Sequence, residues 1–370
     1  MEKEKNNRSS FSGKIGFVLS AAGASVGLGN IWRFPYLAAK YGGGIFLLIY
    51  ILLALTFGYT MIVAESALGR MTRKSPVGAF KAFGKKAGWL SFGGWINAII
   101  PVLIVPYYSV IGGWVIKYFV EYLKGNGAKL AEDGYFSNFI SNGLSTEICF
   151  IVFCMFTLII IYAGVRNGIE RVSKFMMPIL VVLSVIIAIY SVTRPGALAG
   201  VKYFLVPNPK NFSWMTVVTA MGQMFYSLSI AMGILITFGS YMKKDTSIED
   251  STRNVEVFDT AIAIMAGLMI IPAVFAFSGG DPDTLQAGPS LMFITIPKVF
   301  DSMGFGTFAG ILFFLLVLFA AVTSSIALTE SAVSTVEDEL KWSRKKSTVI
   351  VGFIMIILLS LIHISEPTRP

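Results

Sequence analysis

The residues of this chain best suited to binding chemistry lie inside its first apolar segment, where positions 23–35 read Gly-Ala-Ser-Val-Gly-Leu-Gly-Asn-Ile-Trp-Arg-Phe-Pro. Such residues are costly in a lipid bilayer, since an arginine near its centre costs about 2.5–3.5 kcal/mol even on lenient insertion scales. Backbone that leaves the helix at membrane depth is tolerated only where protein or a water-filled cavity surrounds it. Where a helix is interrupted, the exposed amides at the start of a helical segment can bind a carboxylate. The carbonyls that lose their helical hydrogen bonds can bind a small cation. The segment therefore predicts a polar binding site inside a membrane.

The composition indicates that membrane-spanning helices position this segment. The chain of 370 residues is 55% hydrophobic and 14% charged, with a mean hydropathy of +0.72, whereas soluble domains carry about 25% charged residues. We predict an all-α polytopic membrane protein. Its nine apolar spans are 15–39, 44–68, 90–119, 148–163, 176–192, 215–241, 257–277, 307–333 and 348–361.

The net charge of +9 is concentrated in short connections between these spans, which argues against a nucleic-acid partner. Basic residues cluster at the N-terminus and after spans two, four, six and eight, at Lys3, Lys5, Arg8, Lys14, Arg70, Arg73, Lys74, Lys81, Lys85, Lys86, Arg166, Arg171, Lys174, Lys243, Lys244, Arg253, Lys341, Arg344, Lys345 and Lys346. Because loops rich in lysine and arginine remain in the cytoplasm, we predict a cytoplasmic N-terminus.

Enzymatic chemistry has little material in this sequence. Cys149 and Cys154 lie in one apolar span outside any motif, and His363 is the only histidine. A nucleophile–base arrangement and a cofactor fingerprint are both missing from the sequence. We therefore expect neither an enzyme nor an organic cofactor.

Span six is the counterpart of span one, because it lies five spans later and also carries polar residues at its middle. Two repeats of five spans insert in opposite orientations, which places both breaks near the midplane and is typical of transporters. Close helix packing and kinks are the alternative use of membrane glycines. That alternative explains Gly27 or Gly233 alone, but it leaves a polar set on the same two spans unexplained: Asn30, Arg33, Gln223, Ser227 and Ser229.

The last span is short. It has only 14 residues before His363 and a charged tail with two prolines, whereas a bilayer needs about 20 helical residues. We expect one transmembrane transporter domain over residues 1–361, with spans one to five as a first repeat and spans six to nine as an incomplete second repeat. Residues 362–370 are expected to be an artefactual or frameshifted tail.

Ordered motifs extend along the chain from Arg8 to Leu361: 23–35, 42–44, 65–70, 107–108, 222–225, 323–326 and 337–340. Together they resemble the neurotransmitter:sodium symporter family, and most of all its bacterial branch selective for tyrosine and other aromatic amino acids. The resemblance implies a leucine-transporter-type inverted repeat with unwound spans one and six, of which about nine of eleven or twelve spans are present. It also implies a multi-pass protein of the bacterial inner membrane.

The resemblance further implies two sodium sites. The first would use the Ser25 carbonyl, the Asn30 and Ser227 side chains, the substrate carboxylate and Asp259, which stands where other members have asparagine. The second would use the carbonyls of Gly23, Val26 and Ala320 with the hydroxyls of Thr323 and Ser324. Oxygen donors suit a hard cation. Two alternatives stay open: the hydroxyls only bond back to their own helix, and Asp259 faces a cytoplasmic loop.

The same resemblance implies a substrate site for an amino acid. Its carboxylate would meet the amides of the turn at Gly27 and Gly29 and the Tyr108 hydroxyl, and its ammonium would meet carbonyls near Ser25, Tyr226 and Ser229. Ser227 would be a further substrate contact. The side-chain pocket would be lined by Ile104, Tyr226, Ser229, Met232, Ser324 and Leu328. Met232 replaces the phenylalanine of a leucine-selective relative, and an unbranched thioether leaves more room, so we expect tyrosine, tryptophan or phenylalanine. The alternative is that Met232 is ordinary core.

Gates follow from the resemblance as well. Arg33 would form an outer gate beside Tyr108 and Tyr226, with its acidic partner expected in span ten. An inner gate would comprise Arg8, Asp338, Tyr241 and Glu330. Exposed ion pairs are worth about 0–1 kcal/mol, which suits contacts that must open.

The function implied is sodium-coupled symport of an aromatic amino acid by alternating access. Because Asp259 supplies a fixed negative charge beside the first sodium, transport is expected to be independent of chloride. The alternatives are an amino-acid sensor, a channel or a truncated fragment that does not transport. Besides the amino acid and membrane lipid no partner is expected, and the oligomeric state is left open.

Overall fold

A computed structural model describes residues 9–82, 89–280 and 288–365, with side chains described as far as residue 358. The described ranges are almost entirely helical, and their only strand-like pairing is an isolated antiparallel bridge between Gly43 and Pro207. Several predictions fall outside the described residues: the inner-gate role of Arg8, the cytoplasmic positions of Lys3, Lys5, Lys85 and Lys86, and the tail from residue 366 onward.

Sixteen helices follow one another in the described part of the chain. They are α1 (Lys14–Ser25), α2 (Gly29–Lys40), α3 (Gly44–Thr72), α4 (Pro76–Ala82), α5 (Leu90–Leu123), α6 (Gly127–Leu130), α7 (Tyr135–Ser141), α8 (Gly143–Tyr162), α9 (Val165–Val192), α10 (Ala197–Leu205), α11 (Trp214–Ser227), α12 (Ile234–Ser240), α13 (Ile248–Ser278), α14 (Leu291–Asp301), α15 (Gly306–Leu340) and α16 (Arg344–Ser365). A short 3-10 turn, Pro209–Asn211, lies between α10 and α11.

Span one is broken where the glycines are, as the sequence predicts. Helix α1 ends at Ser25, and Val26 then takes an extended conformation with φ −73° and ψ 92°. Helix α2 starts at Gly29 with a π-helical turn, and its axis is bent by 53° relative to α1. The break therefore exposes the last carbonyls of α1 and the first amides of α2 to the middle of the protein.

Span six is broken as well, between Ser227 at the end of α11 and Ile234 at the start of α12. Within the break Ser229 and Ala231 have φ of 55° and 61°, a left-handed conformation that is costly for residues other than glycine. Side chains of neighbouring helices hold it in place. The Ala231 N–H donates to a Glu65 carboxylate oxygen at 2.7 Å, and the Gly233 N–H donates to Asn97 Oδ1 at 3.2 Å.

Several helices are longer than the predicted apolar spans. Helix α9 begins at Val165 instead of 176, so Arg166, Arg171 and Lys174 are helical and not in a loop. That prediction is wrong because hydropathy marks only the apolar part of a helix, whereas polar turns at its end can continue beyond the lipid. Among the described residues six helices are long and apolar enough to cross a membrane, or seven with the bent α1–α2 pair.

The core lies around α15, of whose apolar window 72% is buried. Helix α12 packs unusually close to α3. A Cβ atom on Gly239 would lie 2.4 Å from the Ser66 carbonyl oxygen, and one on Gly69 would collide with the Ile236 carbonyl. Since only glycine permits this backbone contact, these positions fix the inner half of span six against span two.

Candidate functional site

A cavity lies between the two breaks, at the middle of the helical bundle. It is lined by Ala24, Ser25, Gly27, Gly29, Asn30, Ile104, Tyr108, Tyr226, Ser227, Ser229, Met232, Ser324 and Leu328. All eleven residues named from the sequence as substrate contacts are in this set. Asn30, named for sodium alone, and Ala24, not named from the sequence, complete it.

Asp259 lies fully buried beside the cavity, at the point where both breaks meet α13. Its carboxylate accepts from Asn30 Nδ2 at 2.8 Å, from the Ser227 hydroxyl at 2.9 and 3.0 Å, and from the Tyr50 hydroxyl at 3.3 Å. These partners are neutral. A buried carboxylate held by neutral donors keeps its negative charge uncompensated, so the cluster is suited to a cation.

Gln223 ties the two broken spans together next to this cluster. Its Nε2 donates to the Gly29 carbonyl at 3.1 Å, and both residues belong to broken spans. Its other amide atom, Oε1, is buried without a hydrogen-bond partner among the described residues. An unsatisfied buried acceptor has a cost of about 1–3 kcal/mol, which marks the position as one where a ligand or water completes the site.

A second oxygen cluster lies where α15 crosses the end of α1. The Ser324 hydroxyl is within 3.2 Å of the Gly23 and Ala24 carbonyl oxygens and within 3.4 Å of that of Val26. One hydroxyl carries one proton, so it cannot satisfy three carbonyls at once. The convergence of four oxygens is the donor set that a hard cation requires.

Thr323 precedes Ser324 on α15, and the hydrogen bonds of its hydroxyl stay on its own helix. It bonds back to the Phe319 carbonyl at 2.9 Å and to the Ala320 carbonyl at 3.2 Å. This is the back-bonding that the sequence leaves open as an alternative. The contact with Ala320 joins two residues predicted for the second sodium site, but it is one that any helical threonine can make.

The cavity is closed on one side by aromatic residues. The Leu28 N–H donates to the Tyr108 hydroxyl at 2.8 Å, and the Arg33 guanidinium carbon lies 5.2 Å from the centre of the Tyr226 ring. The glycines let these rings approach, because a Cβ atom on Gly29 would lie 2.5 Å from the Tyr226 ring. The structure thus brings together the three residues predicted for the outer gate.

The predicted inner-gate residues that the structure describes lie on the opposite side. Tyr241 donates to the fully buried Glu330 at 2.7 Å, and Arg344 donates to both Glu330 carboxylate oxygens at 2.9 and 2.6 Å. Asp338 instead accepts from the Ser75 N–H at 2.6 Å. Arg344 is the main residue missed from the sequence; a glutamate near the end of an apolar span favours a nearby cation, and that is the signal that could have found it.

We predict that Glu330→Gln destabilises the protein by about 3 kcal/mol or more, because the buried Arg344 would lose the carboxylate that accepts its hydrogen bonds. The arginine side chain is only 16% exposed, and it also donates to the Ile161 carbonyl. Thermal unfolding of the purified protein in detergent measures the loss. Adding Arg344→Gln to this variant is expected to recover part of it.

Glu339→Gln provides the matched control, since Glu339 pairs with the half-exposed Lys81. Exposed pairs are worth about 0–1 kcal/mol, so this variant is expected to unfold close to the parent. Equal losses of stability in the two glutamate variants would show that the buried ion pair contributes no more than the exposed one.

Comparison with known proteins covers nearly the whole chain. The model of the sodium:neurotransmitter symporter family matches residues 8–130 and 137–368. An uncharacterized sodium-dependent transporter of Bacillus subtilis, YhdH, is 36% identical over 351 residues, which span 94% of this chain and 77% of that protein. One from Haemophilus influenzae is 33% identical, over 95% of this chain and 78% of its own length.

A solved structure and a more distant relative also match this chain. The crystal structure of MhsT in complex with L-phenylalanine superposes with a TM-score of 0.86 at 36% identity, covering 98% of this chain and 83% of that one. A more distant relative is the sodium- and chloride-dependent glycine transporter 2 of Xenopus laevis, 29% identical over 91% of this chain and 52% of that protein.

Proposed function

Because this chain belongs to the sodium:neurotransmitter symporter family, we propose that it couples sodium to the import of a hydrophobic, aromatic amino acid by alternating access. It is an integral membrane protein of a transporter family, and not an enzyme. The observation that carries the proposal is the pair of oxygen clusters, one at Asp259 and one at Ser324, next to a cavity between two broken helices.

The Asp259 cluster is proposed as the first sodium site. Its carboxylate and the Ser227 hydroxyl are 2.9 Å apart, and Asn30 lies on the carboxylate's other oxygen. Sodium bound here would compensate the buried charge, and the substrate carboxylate would complete the shell. Ser25 contributes a carbonyl in this proposal.

The Ser324 cluster is proposed as the second sodium site. Carbonyls of Gly23 and Val26 already converge on the Ser324 hydroxyl, and Thr323 holds the Ala320 carbonyl. A cation here would join α1 to α15. Binding of this ion is therefore expected to favour a closed inner side.

The two ends of the substrate meet different parts of the cavity. A helix start favours negative charge, and the Leu28 N–H before α2 donates to the Tyr108 hydroxyl at 2.8 Å; we place the carboxylate there, beside that hydroxyl. The ammonium is placed toward the carbonyls near Ser25, Tyr226 and Ser229. The side chain would then extend between Ile104, Met232 and Leu328, which line the rest of the cavity.

We predict that tyrosine, tryptophan and phenylalanine compete for uptake at concentrations at least tenfold lower than leucine or alanine. The physical reason is the Met232 position, where a flexible thioether can make room for a ring. The MhsT structure holds L-phenylalanine, which supports this class. Competition against labelled phenylalanine in proteoliposomes measures the order, and a preference for leucine or alanine would overturn the aromatic assignment.

Alternating access would move the broken spans against the rest of the bundle. Arg33 over Tyr226 is the proposed outer gate, and the Tyr241–Glu330–Arg344 network belongs to the inner one. We place the protein in the bacterial inner membrane with a cytoplasmic N-terminus, from the basic loops.

Two sodium ions moving down 100 mV would supply about 4.6 kcal/mol, equivalent to more than thousandfold accumulation at ~1.4 kcal/mol per decade.

Equilibrium binding tests the coupling of the two clusters to the cavity. Labelled phenylalanine is expected to bind in sodium and to lose at least tenfold in affinity when choline replaces sodium. Ser324→Ala should reduce the sodium dependence, because it removes one of the clustered oxygens. Binding of equal strength in both salts would contradict the proposed sites.

A further inference from the structure

A groove on the surface of the protein lies between the end of α9 and the start of α15. It has a volume of about 310 Å³ and is lined mainly by Ile186, Ile187, Tyr190, Arg194, Phe308 and Leu312. A cavity of this size is within the range of small-molecule sites. Its lining is apolar except at one end, and it belongs neither to the substrate cavity nor to the gates.

The polarity of the groove changes in order along its length. Ile186 and Tyr190 are four residues apart on one face of α9, and Arg194 follows just beyond the end of that helix at Val192. The start of α15 lies level with Tyr190, whose hydroxyl donates to the Gly304 carbonyl at 2.6 Å. Since α9 leaves the membrane at this end, the arginine is nearest the aqueous surface and the isoleucine is deeper in the lipid.

Arg194 is a cation at the top of the groove. Its Nε donates to the Tyr190 carbonyl at 3.1 Å, and its guanidinium carbon lies 4.4 Å from the centre of the Tyr190 ring. A second donor reaches the Thr193 hydroxyl at 3.4 Å. In the described part of the chain it makes no salt bridge to a carboxylate. Among the described residues, the guanidinium therefore lies above the groove with its positive charge unpaired and with N–H donors available to a ligand.

Phe305, on the rim of the groove, gives a second and independent indication that the groove binds a ligand. It is 86% exposed and has φ 63° and ψ 21°, in the left-handed region that is unfavourable for a bulky residue. Strained backbone of this kind is found at ligand-binding sites. Phe308, one turn farther, is also 60% exposed. Two exposed aromatic rings therefore extend the apolar wall beyond the protein surface.

We propose that this groove is a binding site for an anionic phospholipid. The phosphate lies at Arg194, which matches a planar guanidinium to phosphate oxygens, and an acyl chain lies along Ile186, Ile187 and Leu312. The aromatic rings at Tyr190, Phe305 and Phe308 are located at the interface, where such residues are enriched. A free phosphate would use only the top of the site and would leave its apolar length unoccupied.

Native mass spectrometry of the delipidated full chain tests this site. Phosphatidylglycerol and phosphatidylcholine with identical acyl chains are added at equal concentration. We expect one tightly retained phosphatidylglycerol, at least fivefold more occupied than phosphatidylcholine, and Arg194→Gln is expected to abolish that preference. Excess inorganic phosphate should not displace the lipid.

Lys210→Gln is the matched control, because Lys210 is an exposed cation in the same connection between α9 and α11 but outside the groove. This variant should retain the preference for phosphatidylglycerol.

Ala309→Phe, which fills the groove from its buried wall, should reduce retention of both lipids. Unchanged lipid retention in Arg194→Gln, equal loss in Lys210→Gln, or equal binding of the two lipids would overturn the proposal; thermal unfolding with added lipid gives the same comparison without mass spectrometry.

Discussion

Asp259→Asn is expected to make transport depend on chloride. In the parent protein, replacing chloride by gluconate should leave phenylalanine uptake unchanged, because the carboxylate itself supplies the negative charge beside the first proposed sodium. The variant keeps the shape of the side chain and loses the charge. Uptake by the variant is therefore expected to fall at least tenfold in gluconate and to recover in chloride.

The donors around Asp259 explain why chloride could take over. The Tyr50 and Ser227 hydroxyls and the Asn30 amide all donate to the carboxylate, and they would be available to an anion once that charge is removed. A sodium ion left without a counter-charge in this buried site would bind poorly. The expected result is therefore a gain of anion dependence with the rest of the site intact.

Asp245→Asn provides the control for this prediction, since Asp245 is an exposed acid in the connection before α13. It should remain indifferent to chloride. An Asp259→Asn protein that transports equally well in gluconate and chloride would contradict the assigned role, as would a parent protein that already needs chloride.

Gly27→Ala is expected to weaken phenylalanine binding by about 100-fold, which corresponds to about 2.7 kcal/mol. A Cβ atom at this position would lie 2.5 Å from the Tyr108 hydroxyl and 2.6 Å from the Ser324 hydroxyl. Both hydroxyls would have to move, and they belong to the carboxylate pocket and to the second sodium cluster. The affinity measured in saturating sodium gives the size of the effect.

Gly222→Ala separates this clash from a general effect of adding a methyl group to a broken span. Gly222 lies in α11, and nothing is within 4 Å of a Cβ atom placed there. Alanine also has the higher helix propensity, so binding should remain within twofold of the parent. Similar affinities for the Gly27 and Gly222 variants would show that the narrow approach at Gly27 is not needed.

The positions of the two breaks could be predicted because polar and small residues are costly within apolar spans. That cost indicates function wherever it appears, and Asn30, Gln223 and Ser227 were all found in this way. The fold class and the family follow from the same segments. Hydropathy alone did not place the helix ends, since the polar first turns of α9 and α13 carry no apolar signal.

Other features depend on contacts that sequence spacing does not show. Arg344 follows α15 as one more basic residue of a loop, and only the three-dimensional structure places it on Glu330. Glu65 and Asn97 hold the break of span six through backbone amides, a contact that leaves no pattern of residue types. The strain at Phe305 depends on a backbone angle.

Sodium-driven accumulation is the most direct test of the central claim. Proteoliposomes holding the purified chain are given an inward sodium gradient and an inside-negative potential, and internal labelled phenylalanine is measured over time. The account predicts accumulation well above the external concentration, which collapses when a sodium ionophore is added and is missing in choline. Phenylalanine that only equilibrates would indicate a channel, and phenylalanine that binds without entering would indicate a sensor; either result would contradict sodium-coupled symport.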